Sequence, residues 1–171
     1  MAIIREATPS DWPRLEPLVR AVVADGRTIA WPEDLSSSQA QQLWLPGQPA
    51  RTVVAVDPDG RILGSALMGP NRPGRGAHIA TATFIVDEAA RGRGVGRALG
   101  EHVLNWARTS GYVGIQFNAV AETNAVAVHL WQSLGMRIIG TVPHSFRHPD
   151  LGLVGLHIMF QQLNDPVTTT S

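Results

Sequence analysis

The apolar positions change period along the chain, and each change marks an element. Ile3 to Glu6 reads as a short first strand. Thr8-Pro9-Ser10-Asp11 follows, with a threonine cap, proline at the first helical position and an acid in the first turn, which together signal a helix start. Leu15, Leu18, Val19, Val22 and Val23 then recur at helical spacing as far as Gly26, with irregular opening turns expected from Pro13 and Pro17. A serine run from Ser36 to Ser38 opens a second short helix that ends near Trp44. Arg51 to Val56 and Arg61 to Met68 flank the turn Asp57-Pro58-Asp59-Gly60 and predict an antiparallel hairpin, followed by a Gly/Pro/Arg loop from Gly69 to Gly76.

In the second half, strands and helices alternate. Ile79 to Val86 is a strand and Asp87 to Gly94 a loop. A helix runs from about Val95 to Ser110, with Leu99, Val103 and Trp106 on one face and Gly111 as its stop. Gly114 to Asn118 is a strand, and Asn124 to Leu134 a helix with Ala127, Leu130, Trp131 and Leu134 on one stripe, ended by Gly135. Two more strands, Met136 to Val142 and Leu153 to Gln161, enclose a loop from Pro143 to Gly152. The order predicts one α/β domain over residues 1–164, with a mixed, mostly antiparallel sheet of about six or seven strands and about four helices. The polar, threonine-rich tail, 165–171, is expected to be flexible.

Composition narrows the chemistry. The chain has 171 residues, 44% of them apolar and 16% charged, which suits one globular core. It contains no cysteine, so disulfides, thiolate metal sites and an acyl-cysteine route are excluded. All 14 basic residues are arginine, which excludes a Walker-type phosphate loop and Schiff-base catalysis. Fourteen acids balance them, so no global field draws the protein to nucleic acid or to an anionic membrane. Any polyanion site has to be local. No run approaches a bilayer span, and a cytoplasmic location is expected.

The informative stretch is Arg91-Gly92-Arg93-Gly94-Val95-Gly96-Arg97, between a strand and an amphipathic helix. A helix N-terminus offers unpaired amides and partial positive charge, and glycines let backbone close on a phosphate. The dinucleotide fingerprint does not fit, because Arg97 and Leu99 stand where its third glycine or alanine belongs. The pattern that fits is R-x-x-G-x-G, with Arg91, Gly94 and Gly96 at its defining positions. Phe84-Ile85-Val86 precedes it, and Asn124-x-x-Ala127-x-x-Leu130-Trp131-x-x-x-Gly135-Met136 follows. In these residues, and in element order from Ile3 to about Gln161, the chain resembles the GNAT acyltransferase superfamily.

The resemblance implies a sheet splayed at a central parallel pair, with acetyl-CoA as acyl donor. Phe84, Ile85 and Val86 would pair with its pantetheine arm. Arg91, Gly92, Arg93, Gly94, Val95, Gly96 and Arg97 would hold its pyrophosphate, with Asn124, Ala127 and Trp131 completing the cofactor side. It also implies direct transfer to an amine, a route that the lack of cysteine independently favours. Two departures stand out. The strand Ile79 to Val86 carries no carboxylate, and Trp131 replaces a tyrosine that protonates the leaving thiolate in relatives; an indole N–H donates a hydrogen bond but is no practical acid. Trp131 also fits the packing stripe of its helix.

The run Phe117 to Asn124 resembles, more narrowly, the branch containing the fungal azetidine-2-carboxylate N-acetyltransferases. That likeness makes Asn118 and Asn124 the catalytic candidates, although Asn124 also suits a helix cap. It places Ile29, Trp31, Thr81, Thr83 and Asn118 around the acceptor. The expected activity is N-acetylation of a small-molecule or amino-acid-like amine. The alternatives are acetylation of a protein N-terminus or lysine, and acyl-CoA binding without catalysis. Homodimers are common among such relatives, and a homodimer is one expectation here. His144-x-x-x-His148 lacks a third ligand, so no metal is expected; these histidines and Arg147 rim the acceptor side. Asp87 and Glu88 read as solvated loop residues, Arg72 and Arg75 either as solvated loop arginines or as a site for an acceptor carboxylate, and His129 as an exposed helix position.

Overall fold

The computed structural model describes residues 2–166. In chain order its elements are β1 (Ile3–Glu6), α1 (Trp12–Asp25), α2 (Ser37–Trp44), β2 (Arg51–Val56), β3 (Ile62–Pro70), β4 (Ile79–Val86), α3 (Val95–Thr109), β5 (Gly114–Ala121), α4 (Ala125–Ser133), β6 (Arg137–His148) and β7 (Gly152–Gln162). The strands form a single sheet in the order β1-β2-β3-β4-β5-β7-β6, antiparallel throughout except between β4 and β5. The mixed sheet and the four helices agree with the expected fold. Most of the tail expected to be flexible lies outside the described residues. Among the described residues, no helix is long and apolar enough to cross a membrane.

Side chains alternate across a strand, so each strand feeds two cores. On β4, Ala80, Ala82, Phe84 and Val86 face a core built with Leu99, Val103 and Ala107 of α3 and Trp131 of α4. Ile85 faces the opposite core, built with Leu15 and Val19 of α1 and Trp44 of α2. Helices α1 and α2 therefore cover one face, and α3 and α4 the other. Thr81 and Thr83, alternating with the first set, belong to the α1/α2 face.

Two boundaries differ from expectation. Strand β5 continues past Asn118 to Ala121, through an irregularity between Phe117 and Val120. Residues 143–152, expected to be a loop, are largely strand: Phe146 pairs with Val154, Arg147 with Leu153 and His148 with Gly152. Pro143 is absorbed by a register shift between Val142 and Phe146, with His144 at φ +54°. Buried Phe146 packs with Ala121 and Val154, and that contact draws the extension into the sheet.

At the start of α1, Asp11 is 1% exposed and accepts from Arg5 Nη2 at 2.7 Å, Arg14 Nη2 at 2.9 Å and the Thr8 amide at 2.9 Å. Hydrogen bonds from Arg5 hold its carboxyl well below the usual carboxylate range, against the opposing effect of burial. A depressed folded-state pKa adds stability above the unfolded value near 4, and that stability is lost as pH falls below it. Asp11→Asn should therefore cost about 2 kcal/mol near neutral pH. Urea denaturation at a series of pH values should show the gap from wild type narrowing steadily below about pH 4.

Candidate active site

Strands β4 and β5 pair only at Ile79 with Gly114 and Ala80 with Ile115. Each keeps its other neighbour further along. β4 stays on β3 as far as Val86, and β5 stays on β7 at Phe117 and again at Val120. From Thr81 onward a gap opens between them, and the β4 edge facing it has no strand partner. On the α3/α4 side the gap is filled by Phe84, Phe117 and Trp131, whose ring centroids lie 5.4, 4.5 and 5.0 Å apart. Trp131 is 6% exposed, so its ring serves packing. Gly100 of α3 allows this approach, because a Cβ there would come within 2.8 Å of both Trp131 and Leu134.

Beyond β4, Asp87 accepts from the Ala89 amide and pairs with Arg61 at 2.6 Å. The Arg61 hydrogen bond lowers its carboxyl pKa, and these contacts make it a loop anchor. Gly92 and Gly94 then take φ values of +74° and +80°, the left-handed region that favours glycine. Gly94 caps α3, and its carbonyl accepts from Ala98. The amides of Gly92, Gly94, Val95, Gly96 and Arg97 donate to no acceptor among the described residues. A Cβ at Gly92 or Gly94 would meet nothing within 4 Å, so space lies open beside these donors. Arg91 and Arg93 are exposed and without ion pairs among the described residues, whereas Arg97 bonds Ser133 at 2.8 Å and approaches Glu101. A groove of about 680 Å³ runs from Val86 and Arg91 along Leu18 and Val22 of α1. Unpaired amides at a helix start, with guanidinium groups around them and open space before them, suit a pyrophosphate.

The opposite face of the gap holds the acceptor-side candidates. Ile29 and Trp31 pack into the α1/α2 core, with Trp31 5.5 Å from Trp44 in an edge-to-face pair. Thr81 and Thr83 share that face. Asn118 lies where β5 is irregular and is exposed; its Oδ1 accepts from Gln116 Nε2 at 2.9 Å, and its Nδ2 donates to Asn71 Oδ1 at 2.6 Å. A bulge beside a site re-aims a side chain, and here it re-aims the candidate asparagine. Asn124 caps α4, its side chain accepting from the Ala127 amide at 3.2 Å, and it shares no hydrogen bond with Asn118. Ala127 is half-buried against the α3/α4 core.

Two segments distant in the chain meet at the end of α1. Arg27, just after α1, pairs with Asp150 at the β6–β7 turn at 2.7 Å and with Asp25 at 2.6 Å, and Gly26 approaches Pro149. His148 is 8% exposed, its Nδ1 accepting from the Asp150 amide at 3.2 Å, while His144 and Arg147 are exposed. Glu122 is tied to β7, accepting from the Gly155 amide at 2.5 Å. Sequence reasoning missed Asn71, Gln116 and the Arg27–Asp150 pair. Gln116 stood two residues before Asn118 on one strand face and was legible there; no local signal marks the other two.

The family model for the GNAT acetyltransferase family matches residues 12–136. A GCN5-related N-acetyltransferase from Kribbella flavida is 54% identical, with a TM-score of 0.92 over 95% of this chain and 98% of that one. The chain belongs to the GNAT acetyltransferase family. It is 31% identical to N-acetyltransferase aca1 of Schizosaccharomyces pombe over 58% of this chain and 47% of that protein, so it spans less than half that relative's length. A phosphinothricin acetyltransferase from Sinorhizobium meliloti, solved with AcCoA, shares the fold at 19% identity, with a TM-score of 0.87 over 99% of this chain and 92% of that one.

Since Trp131 closes the gap between the parted strands, Trp131→Ala should destabilise the fold by about 3–5 kcal/mol, measured by urea denaturation. Trp131→Phe should recover most of that loss.

Proposed function

We propose that this protein is an acetyl-CoA-dependent N-acetyltransferase acting on the amine of a small-molecule, amino-acid-like acceptor. The observation that carries the reading is the parting of β4 from β5 beside a glycine loop whose amides stand unpaired, which offers an open strand edge and an anion site for the acyl donor. Ile29, Trp31, Thr81, Thr83 and Asn118 are the residues proposed to meet a small acceptor. The proline-analogue branch suggested by Asn118, Asn124 and Trp131 belongs to this proposal, as do a cytoplasmic location and a homodimer. A second copy would cover the exposed Ile138, Ile139 and Val142 of the edge strand β6.

The residues present fit the acyl donor. When bound, acetyl-CoA supplies an activated thioester carbonyl. The free amides of Gly92, Gly94, Val95, Gly96 and Arg97, with the Arg91 and Arg93 side chains, would hold its diphosphate, and the unpaired edge of β4 from Thr81 to Val86 would align the pantetheine arm. A β4 amide facing the gap donates to the oxygen on which charge develops, a contribution of about 3 kcal/mol. No carboxylate lies on β4 to take a proton from the amine, so the amine would react in its neutral form: its nitrogen would bond to the thioester carbonyl carbon as the carbon–sulfur bond breaks, the released thiolate taking up the amine's proton by way of water. Asn118 orients the amine from β5. Asn124 holds the start of α4, where its side chain and the half-buried Ala127 border the donor.

Thiol release from acetyl-CoA across a panel of small amines tests the reading. Turnover of at least one amino-acid-like amine, with none of protein N-termini or lysine peptides, is the expected result; acetyl-CoA binding without turnover of any amine overturns it. Asn118→Ala should lower kcat roughly tenfold or more, while the acetyl-CoA Kd from calorimetry stays within about twofold. Gly94→Val should do the opposite, weakening acetyl-CoA binding about tenfold or more, since a β-branched residue resists the left-handed conformation and its side chain enters the space before the amides.

A further inference from the structure

Asn118 lies on β5 and Asn71 directly follows β3, with β4 between those strands in the sheet. The hydrogen bond from Asn118 Nδ2 to Asn71 Oδ1 therefore crosses over β4, close to where β4 and β5 part. The backbone fixes both ends. The Asn71 amide donates to the Ile79 carbonyl at 2.7 Å, and Gln116 sits on the continuous ladder with Phe160. With Gln116 Nε2 donating to Asn118 Oδ1, the three side-chain amides form a chain that runs in one direction.

Such a chain has two unlike ends. Each primary amide carries an accepting oxygen and a donating NH2 group. Once the internal bonds are made, the Gln116 oxygen remains an acceptor and the Asn71 NH2 a donor, neither having another partner among the described residues. Exchanging oxygen and nitrogen in all three reverses the chain but keeps one accepting and one donating end. Positive charge stands beside Asn71. Arg72 is exposed, has no carboxylate partner among the described residues, and its Nη1 lies 3.5 Å from the Asn71 carbonyl oxygen. The Gln116 end is free of such charge, and its face of β4 bears only Ile79, the two threonines and Ile85.

Resting on the small-amine reading above, we propose that Gln116 and Asn71 determine acceptor specificity. The Gln116 oxygen accepts from the acceptor's N–H, while Asn71 NH2, supported by Arg72, holds a carboxylate on the same molecule. Asn118 keeps the two ends in register across β4. The acceptor class is accordingly an amine that also bears a carboxylate.

The test compares α-amino acids and ω-amino acids of two to six carbons with the matched amines lacking the carboxylate, by thiol release from acetyl-CoA. Wild type should favour the carboxylated member of at least one pair tenfold or more in kcat/KM. Asn71→Asp keeps an oxygen for Asn118 Nδ2 but removes the donating end and adds negative charge. It should raise the KM for the carboxylated acceptor tenfold or more and remove its advantage in kcat/KM over the matched amine, leaving the acetyl-CoA KM within about twofold. A purely structural Asn71 would tolerate aspartate. Should Asn71→Asp fail to fold, Arg72→Ala reads the same preference, with an expected loss of at least threefold. Equal use of both members of every pair by wild type, or an undiminished preference in the variant that folds, overturns the specificity proposal while the acetyltransferase reading stands. Absence of turnover with every amine, with acetyl-CoA still bound, overturns the underlying reading and this inference with it.

Discussion

The parting of β4 from β5 after two paired residues is the constraint on which the rest of the structure depends. A sheet interior normally satisfies its backbone through neighbouring strands, and leaving an edge open inside a domain is costly unless something else meets it. The cost is contained by keeping β4 on β3 and β5 on β7, so that only the inner edges are exposed. Three aromatic rings then hold the parted strands apart on one side. Packing of Trp131 against Gly100 ties this wedge to α3, the helix whose free amides stand at the open end of the gap. The gap and the glycine loop at the start of α3 are therefore parts of one packing arrangement.

Alternation along β4 and β5 converts that gap into a site with two unlike sides. Phe84 and Phe117 point toward α3 and α4, while Thr81, Thr83 and Gln116 point toward α1 and α2. The first side is apolar and leads to a strongly basic loop. The second carries hydroxyls and amides, and no carboxylate from β4. A protein of zero net charge thus carries three of its arginines, Arg91, Arg93 and Arg97, on one glycine loop. On the second side, β5 is irregular at the exposed Asn118, and the Arg27–Asp150 pair ties the end of α1 to the β6–β7 turn.

Much of this was legible in the residues themselves. The loop Arg91 to Arg97 declared itself through glycines whose left-handed conformations the fold does use at positions 92 and 94. The strands around it were readable because buried β-runs bounded by glycine and proline leave few alternatives. Residues 143–152 misled, since proline, histidine and aspartate are loop formers in isolation. There a single buried aromatic, Phe146, paired with a strand that lies next to it only in the folded chain. Trp131 satisfied two descriptions at once, a position opposite the reacting bond and a packing stripe; its contacts with Phe84 and Phe117 show the ring packed.

The local pattern by itself determined the element order and the place of the glycine loop, because period, capping residues and glycine conformation act over a few neighbouring residues. Tertiary structure decided what crosses the sheet. Asn71 reaches Asn118 across 47 positions of chain, and Arg27 reaches Asp150 across 123, and nothing local distinguishes these from other polar surface residues. Their roles exist only once strand order has brought β3 within reach of β5 over β4, and the end of α1 within reach of the β6–β7 turn. The glycine loop is accordingly written into one short segment, whereas the polar contacts on the opposite face are assembled from distant ones.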